Sequence, residues 1–119
     1  MRPGEVWQVD YPLSEGREQA GPRPALVLQD DGFALRSPLA LTIPFSTSAG
    51  TMRYPAVIPV DSTPANGMPL DSFLLVFQLR ATDRRRVRRR LGIVSPEVLS
   101  AVYQALDRLT GRPHTTGQP

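Results

Sequence analysis

The sequence predicts a mainly β fold, either a sandwich or a small barrel, finished by one C-terminal helix. Three observations predict it. Short apolar runs recur at close spacing, punctuated by Gly, Pro, Ser and Asp. The apolar period changes from two to three-and-four after Ser95. The chain of 119 residues fits one domain with one small core, and nothing in it divides.

The elements follow in order. Glu5-Val6-Trp7-Gln8-Val9-Asp10-Tyr11 alternates polar and apolar residues and is rich in β-branched and aromatic side chains, the pattern of a half-buried strand that Pro12 ends. Residues 11 to 21 form a long loop. Residues 24 to 29 are an almost continuous apolar run that reads as a central strand, followed by a turn at Asp30-Asp31-Gly32. Further strands are expected over residues 39 to 45, 55 to 60 and 72 to 78, the last continuing through 79 to 82. Ser95-Pro96-Glu97 then combines an N-cap, a proline at the first helical position and an acid in the first turn. Val98, Leu99, Val102, Ala105, Leu106 and Leu109 make one apolar stripe, and Gly111 stops the helix. Residues 112 to 119 carry nothing apolar, so a domain over 1 to 111 and a disordered tail over 112 to 119 are expected. There is no internal repeat.

Composition narrows the chemistry. The chain has no cysteine, which excludes disulfides, thiolate nucleophiles and zinc–thiolate sites, and its one histidine, His114, lies in the polar tail. No run approaches the ~20 apolar residues of a membrane helix, and no apolar leader follows Met1-Arg2-Pro3-Gly4, so a soluble cytoplasmic protein without a membrane partner is expected. All 14 basic residues are arginine, against 11 acids, for a formal charge of +3. Arginine binds phosphate in a planar, bidentate fork, which favours phosphate-bearing partners. A mainly β chain of this size also commonly completes its core against a second copy of itself.

The segment Arg17-Glu18-Gln19-Ala20-Gly21-Pro22-Arg23-Pro24 carries the sharpest signal. Two prolines fix the backbone on either side of Arg23 at the mouth of a strand, and Glu18 sits in the same loop. Cutting RNA without a metal requires a base for the 2′-hydroxyl, an acid for the leaving oxygen, and fixed positive charge or donors on the phosphate. With no core histidine, Glu18, Arg23 and the hydroxyl cluster Ser46-Thr47-Ser48 are the candidates, and no cofactor or metal enters this scheme. The hydroxyl cluster also reads as a plain turn or strand cap. Arg53 and Tyr54, in the loop after the third strand, suit phosphate binding and base stacking. Arg84-Arg85-Arg86-Val87-Arg88-Arg89-Arg90 is the densest charge, a solvated face or a phosphate track. Trp7 reads as a barrel or interface residue rather than a stacking platform.

The signature Glu18-Gln19-x-Gly21-x-Arg23-Pro24-x-Leu26-Val27-Leu28 resembles that of the MazF/PemK toxin endoribonucleases. The resemblance extends through Arg2-Pro3-Gly4-Glu5-Val6-Trp7, Ile43-Pro44-Phe45-Ser46-Thr47-Ser48, Asp71-Ser72, Gln78-Leu79-Arg80 and the helix region from Gly92 to Leu109. It implies an SH3-like small β-barrel with a C-terminal helix, acting as a homodimer on single-stranded RNA without a metal and leaving 2′,3′-cyclic phosphate and 5′-hydroxyl ends. It implies a phosphate-stabilising and acid/base role for Arg23, a base role for Glu18, and a hydroxyl role for Ser46, where the family usually has threonine. Gln19, Thr47, Ser48, Arg53, Tyr54, Gln78 and Arg80 would then lie along the RNA groove. The implied partners are a MazE-like antitoxin with an acidic, apolar tail and operator DNA bound by the toxin–antitoxin complex; docking of that tail is a further alternative for the arginine run, beside a solvated face and a phosphate track. A CcdB-like gyrase inhibitor that cuts nothing, or a decayed toxin that only binds, are the competing readings. A reference pKa above ~12 favours Arg23 as an electrostatic clamp over a proton donor, while a carboxylate near ~4.3 is ionised and available as a base.

Overall fold

The computed structural model describes residues 1–13 and 20–113. Seven strands and two helices follow one another: β1 (Glu5–Tyr11), β2 (Gly21–Val27), α1 (Asp31–Ala34), β3 (Leu39–Ser46), β4 (Val57–Val60), β5 (Ser72–Leu75), β6 (Arg80–Asp83), β7 (Val87–Ile93) and α2 (Pro96–Thr110). All pairings are antiparallel, in the order β4-β5-β3-β2-β1-β7, with β6 also on β3. The sheet curls into a barrel-like shape without closing edge to edge. β3 belongs to two sheets at once. Its first half, Leu39 to Thr42, pairs with β6, and its end, Phe45 and Ser46, pairs with β5.

That sharing explains the main departure from expectation. The run from Ser72 to Thr82 is two strands, because a 3-10 turn over Val76–Gln78 carries the chain from one sheet to the other along the same edge of β3. Gln78 therefore lies in the turn and Arg80 opens β6, rather than both ending one strand. The whole arginine run is likewise ordered structure: Arg84–Arg86 form a 3-10 turn, and Arg88, Arg89 and Arg90 lie in β7. β2 starts at Gly21, earlier than the apolar run suggests. Its residues 21 to 24 pair only with β1, so the N–H groups that Pro22 and Pro24 lack are not missed by a second neighbour. Asp30 is the N-cap of α1, its side chain accepting from the Gly32 N–H, where a simple turn was expected.

The main core lies between one face of this sheet system and α2. Val6, Leu26, Ile43, Phe45, Val60, Leu74 and Val76 meet Val102 and Ala105 of the helix, with Val98, Leu99 and Leu106 packed at its margin. The helix ends follow the sequence reading: Ser95 Oγ accepts the Val98 N–H at 3.2 Å, and Gly111 takes the left-handed φ of 71°. Beyond it, Arg112, expected in the tail, pairs with Asp107 at 2.6 Å, and residues 114–119 lie outside the described residues.

Two tertiary ties hold the outer elements. Residues 61 to 71 fold onto β7, where the Ile93 N–H donates to the Ala65 carbonyl at 3.0 Å. Gly67 has a φ of +65°, and a side chain there would drive into the Leu91 carbonyl. At the opposite end, Asp31 accepts the Met1 ammonium at 2.7 Å and both terminal nitrogens of Arg84 at 3.2 and 3.0 Å. The Arg84 hydrogen bond, then that of the ammonium, holds the Asp31 carboxyl at about 2.

Gly67→Ala is expected to cost about 3 kcal/mol, from combined backbone strain and overpacking, read as a lower midpoint in urea unfolding. Asp31→Asn should lower the melting temperature at neutral pH. Because the folded pKa is depressed, the Asp31 contribution is complete above the ordinary 3.8 and disappears as pH falls toward about 2. Melts of the two proteins should therefore converge across that window.

Candidate active site

Strand alternation divides the sheet into two faces. Val6, Leu26 and Ile43 face α2, whereas Trp7, Val9, Tyr11, Ala25 and Val87 gather in a second, smaller cluster. The same alternation puts Arg23 of β2, Thr42 of β3, and Arg80 and Thr82 of β6 on that second face with Tyr11. Polar groups thus continue the minor core toward solvent.

Arg23 is fixed by the backbone around it. Continuing the β2–β3 register beyond Ala25 and Pro44 would set Pro24 opposite Phe45, but proline has no N–H to give. The Arg23 Nη1 instead donates to the Phe45 carbonyl at 3.1 Å, and its Nη2 to the Ala20 carbonyl at 3.0 Å. Its Nε is buried and has no hydrogen-bond acceptor among the described residues. Burial pulls its pKa below the usual guanidinium value; Tyr11 opposes that shift and Arg80 adds to it. The result is a positive group tied at two points, with its buried Nε–H left without an acceptor among the described residues.

Around it runs a buried hydroxyl chain. The Tyr11 hydroxyl and Thr42 Oγ1 are 2.7 Å apart, and Thr42 Oγ1 and Thr82 Oγ1 are 3.0 Å apart. The Arg80 guanidinium lies 4.0 Å from the centroid of the Tyr11 ring. Burial raises the Tyr11 pKa above 10, opposed by Thr42, Arg80 and Arg23, so the phenol keeps its proton. Sequence reasoning missed Tyr11, Thr42 and Thr82. The available signal was Thr42 itself, a polar residue inside the apolar run of β3.

Ser46 ends β3 next to Phe45, whose carbonyl Arg23 holds, and is buried. Its Oγ accepts the Ser48 N–H at 3.1 Å, the turn-capping contact that was the competing reading of the cluster. Thr47 and Ser48 are exposed, and the Ser48 carbonyl accepts from Thr51 Oγ1 at 2.7 Å. Glu18 and Gln19 lie outside the described residues, adjoining the Ala20 carbonyl that Arg23 holds. Arg53 closes a 3-10 turn over Ala49–Arg53 and stacks on Tyr54 at 5.2 Å, while Tyr54 tilts against Phe77 at 5.0 Å. Arg53 and Tyr54 thus form one exposed platform. Gln78 is half-buried in the turn before Arg80.

The arginine run is mostly engaged. Arg84 holds Asp31, Arg85 pairs with Asp83 at 2.8 Å, Arg86 donates to the Asp10 carbonyl, Arg88 pairs with Asp10 at 3.4 Å, and Arg90 with Glu5 at 3.3 Å. Trp7 is half-buried and donates from Nε1 to Glu5 at 3.0 Å, a structural place rather than a stacking platform. Burial pushes the Glu5 carboxyl up, but the hydrogen bonds from Trp7 and Arg2 and the charge of Arg90 leave it below its ordinary value. Among the described residues there is no group of three or more His, Cys, Asp or Glu placed to hold a metal ion.

The structure thus gathers a restrained arginine and a chain of hydroxyls on one face of a small antiparallel fold. The family described as "PemK-like, MazF-like toxin of type II toxin-antitoxin system" matches residues 2–110, and the chain belongs to it. The chain is 28% identical over 106 residues to Endoribonuclease EndoA of Bacillus subtilis, covering 89% of this chain and 90% of that protein. The crystal structure of MazF from Deinococcus radiodurans superposes with a TM-score of 0.75 at 26% identity, covering 92% of this chain and 94% of the other. A MazE–MazF complex from the same organism matches with a TM-score of 0.67 at 26% identity, over 94% and 96% of the two chains.

Thr42→Val should remove the centre of the hydroxyl chain and leave the Tyr11 and Thr82 hydroxyls with one partner fewer. The expected cost is about 1–3 kcal/mol in urea unfolding, more than the same change at an exposed threonine such as Thr47.

Proposed function

We infer that this chain is the endoribonuclease toxin of a type II toxin–antitoxin pair, cutting single-stranded RNA by metal-independent transesterification. The observation that carries the reading is Arg23: a half-buried guanidinium held at two points by backbone carbonyls, neither of which neutralises its charge. Such a group is already ordered before substrate arrives, so it stabilises the developing charge of a pentavalent phosphate without reorganising.

The chemistry assigns roles to the neighbours. The 2′-oxygen of the RNA attacks phosphorus, the bond to the 5′-oxygen breaks, and the ends are a 2′,3′-cyclic phosphate and a 5′-hydroxyl. Glu18 is proposed as the base for the 2′-hydroxyl proton. Ser46 accepts the Ser48 N–H and so keeps its own proton to give toward the phosphate or the leaving oxygen. Arg80 supplies a second guanidinium on the same face, and Gln19, Thr47, Ser48, Gln78 and the Arg53–Tyr54 platform are proposed RNA contacts. Their loop positions suit a short sequence preference set by base stacking and edge contacts.

The proposed assembly is a homodimer whose groove receives the RNA. A MazE-like antitoxin with an acidic, apolar tail would silence it by occupying that basic groove, and the complex would bind operator DNA mainly through the antitoxin. The MazE–MazF structure of the relative supports such a partnership.

The test is incubation of the purified protein with a long, weakly structured RNA in EDTA, with cut sites mapped by primer extension. Discrete cuts with 5′-hydroxyl ends are expected, and Arg23→Ala should slow them by about 10²–10³-fold. A folded protein that leaves several diverse RNAs intact would sink the reading and turn attention to gyrase inhibition.

A further inference from the structure

We propose that Tyr11 is a positioning residue of the cleavage site: its ring seats Arg80, its hydroxyl locks that seat through Thr42 to Thr82, and Arg80 and Arg23 thereby form a two-arginine clamp on one phosphodiester. This rests on the endoribonuclease reading and adds to it a residue and a division of labour.

Three observations carry it. The Arg80 guanidinium lies over the face of the Tyr11 ring, 4.0 Å from its centroid, where the π-electron density favours a cation. The ring cannot slide, because Tyr11 is 2% exposed and its hydroxyl is 2.7 Å from Thr42 Oγ1, itself 3.0 Å from Thr82 Oγ1. Thr42 is the cross-strand partner of Arg80, and Thr82 lies two residues along β6, so the seat and its occupant share one ladder.

The electrostatics give the seat a purpose. Arg80 is near enough to Arg23 to disfavour its charge, and both arginines act on the Tyr11 phenol. Two guanidinium groups left on flexible stems would swing apart to solvent. Arg23 is restrained by two carbonyls, and the aromatic face gives Arg80 a comparable restraint that carries no formal charge of its own. An anion bridging the two relieves the repulsion, and a phosphodiester has two oxygens to share between two forks. The interaction strengthens as negative charge accumulates in the transition state, so the seat acts on turnover more than on binding.

The experiment uses the full chain. In side-chain NMR of the wild type, the Arg80 Hε should be shifted upfield by the ring, remain so in Tyr11→Phe, and return to the ordinary position in Tyr11→Leu. In cleavage assays Tyr11→Leu should lower kcat by about 10–100-fold with KM changed less than about twofold. On an Arg80→Ala background the same substitution should add less than about twofold, because its effect runs through that arginine. A merely structural Tyr11 would give multiplying losses. Such losses in a cutting wild type, or an unshifted Arg80 Hε, overturn this proposal alone, and the proton test stands even where Tyr11→Leu does not fold. A wild type that cuts no RNA overturns the endoribonuclease reading and the clamp with it.

Discussion

The structure depends on one strand serving two sheets. β3 is long enough to hold β6 along its first half and β5 at its end, both on the same edge, and the 3-10 turn over Val76–Gln78 is the corner between them. That corner bends the sheet. The sheet then has one face packed on α2 and another where Tyr11, Arg23, Thr42, Arg80 and Thr82 converge. Had residues 72 to 82 run as one strand, Arg80 would lie far along a flat edge from Arg23. The placement of Arg80 on the face that carries Arg23 is thus a consequence of strand sharing rather than of any loop.

Charge is distributed on the same logic. Most of the arginines between 84 and 90 are spent on carboxylates and carbonyls that fasten β7, α1 and the start of the chain. Among the described residues, two backbone carbonyls hold Arg23, and the uncharged Tyr11 ring carries Arg80. Neutral restraints order a guanidinium and leave its field intact for a phosphate.

Much of this was legible in the sequence. β1 and α2 stood out because their periods are clean and their ends are marked by Pro12, Ser95, Pro96 and Gly111. Arg23 stood out because two prolines flank it, and the structure gives the reason: Pro24 leaves the Phe45 carbonyl for the arginine to take. The division of 72 to 82 was not legible, since Leu-Leu-Val-Phe is apolar in either conformation and the corner is imposed by pairing with β3. β7 was hidden because a strand of arginines has almost no apolar alternation, and its support comes from distant Asp10 and Glu5. Tyr11, Thr42 and Thr82 were hidden for the same reason: no local pattern reports a hydrogen bond across 31 or 40 residues.

The packing of residues 61 to 71 on β7 bears on solubility. β7 is a terminal strand, and a terminal strand with free amides is a template for pairing with foreign chains. Here the Ala65 carbonyl takes the Ile93 N–H, Gly92 and Gly67 let the loop press flat against the strand, and exposed Arg88, Arg89 and Arg90 surround what is left with like charge. At the other margin, β4 is four residues long and carries Pro59. Both ends of the sheet are blunted against strand-by-strand aggregation, which favours a small β-protein staying dispersed.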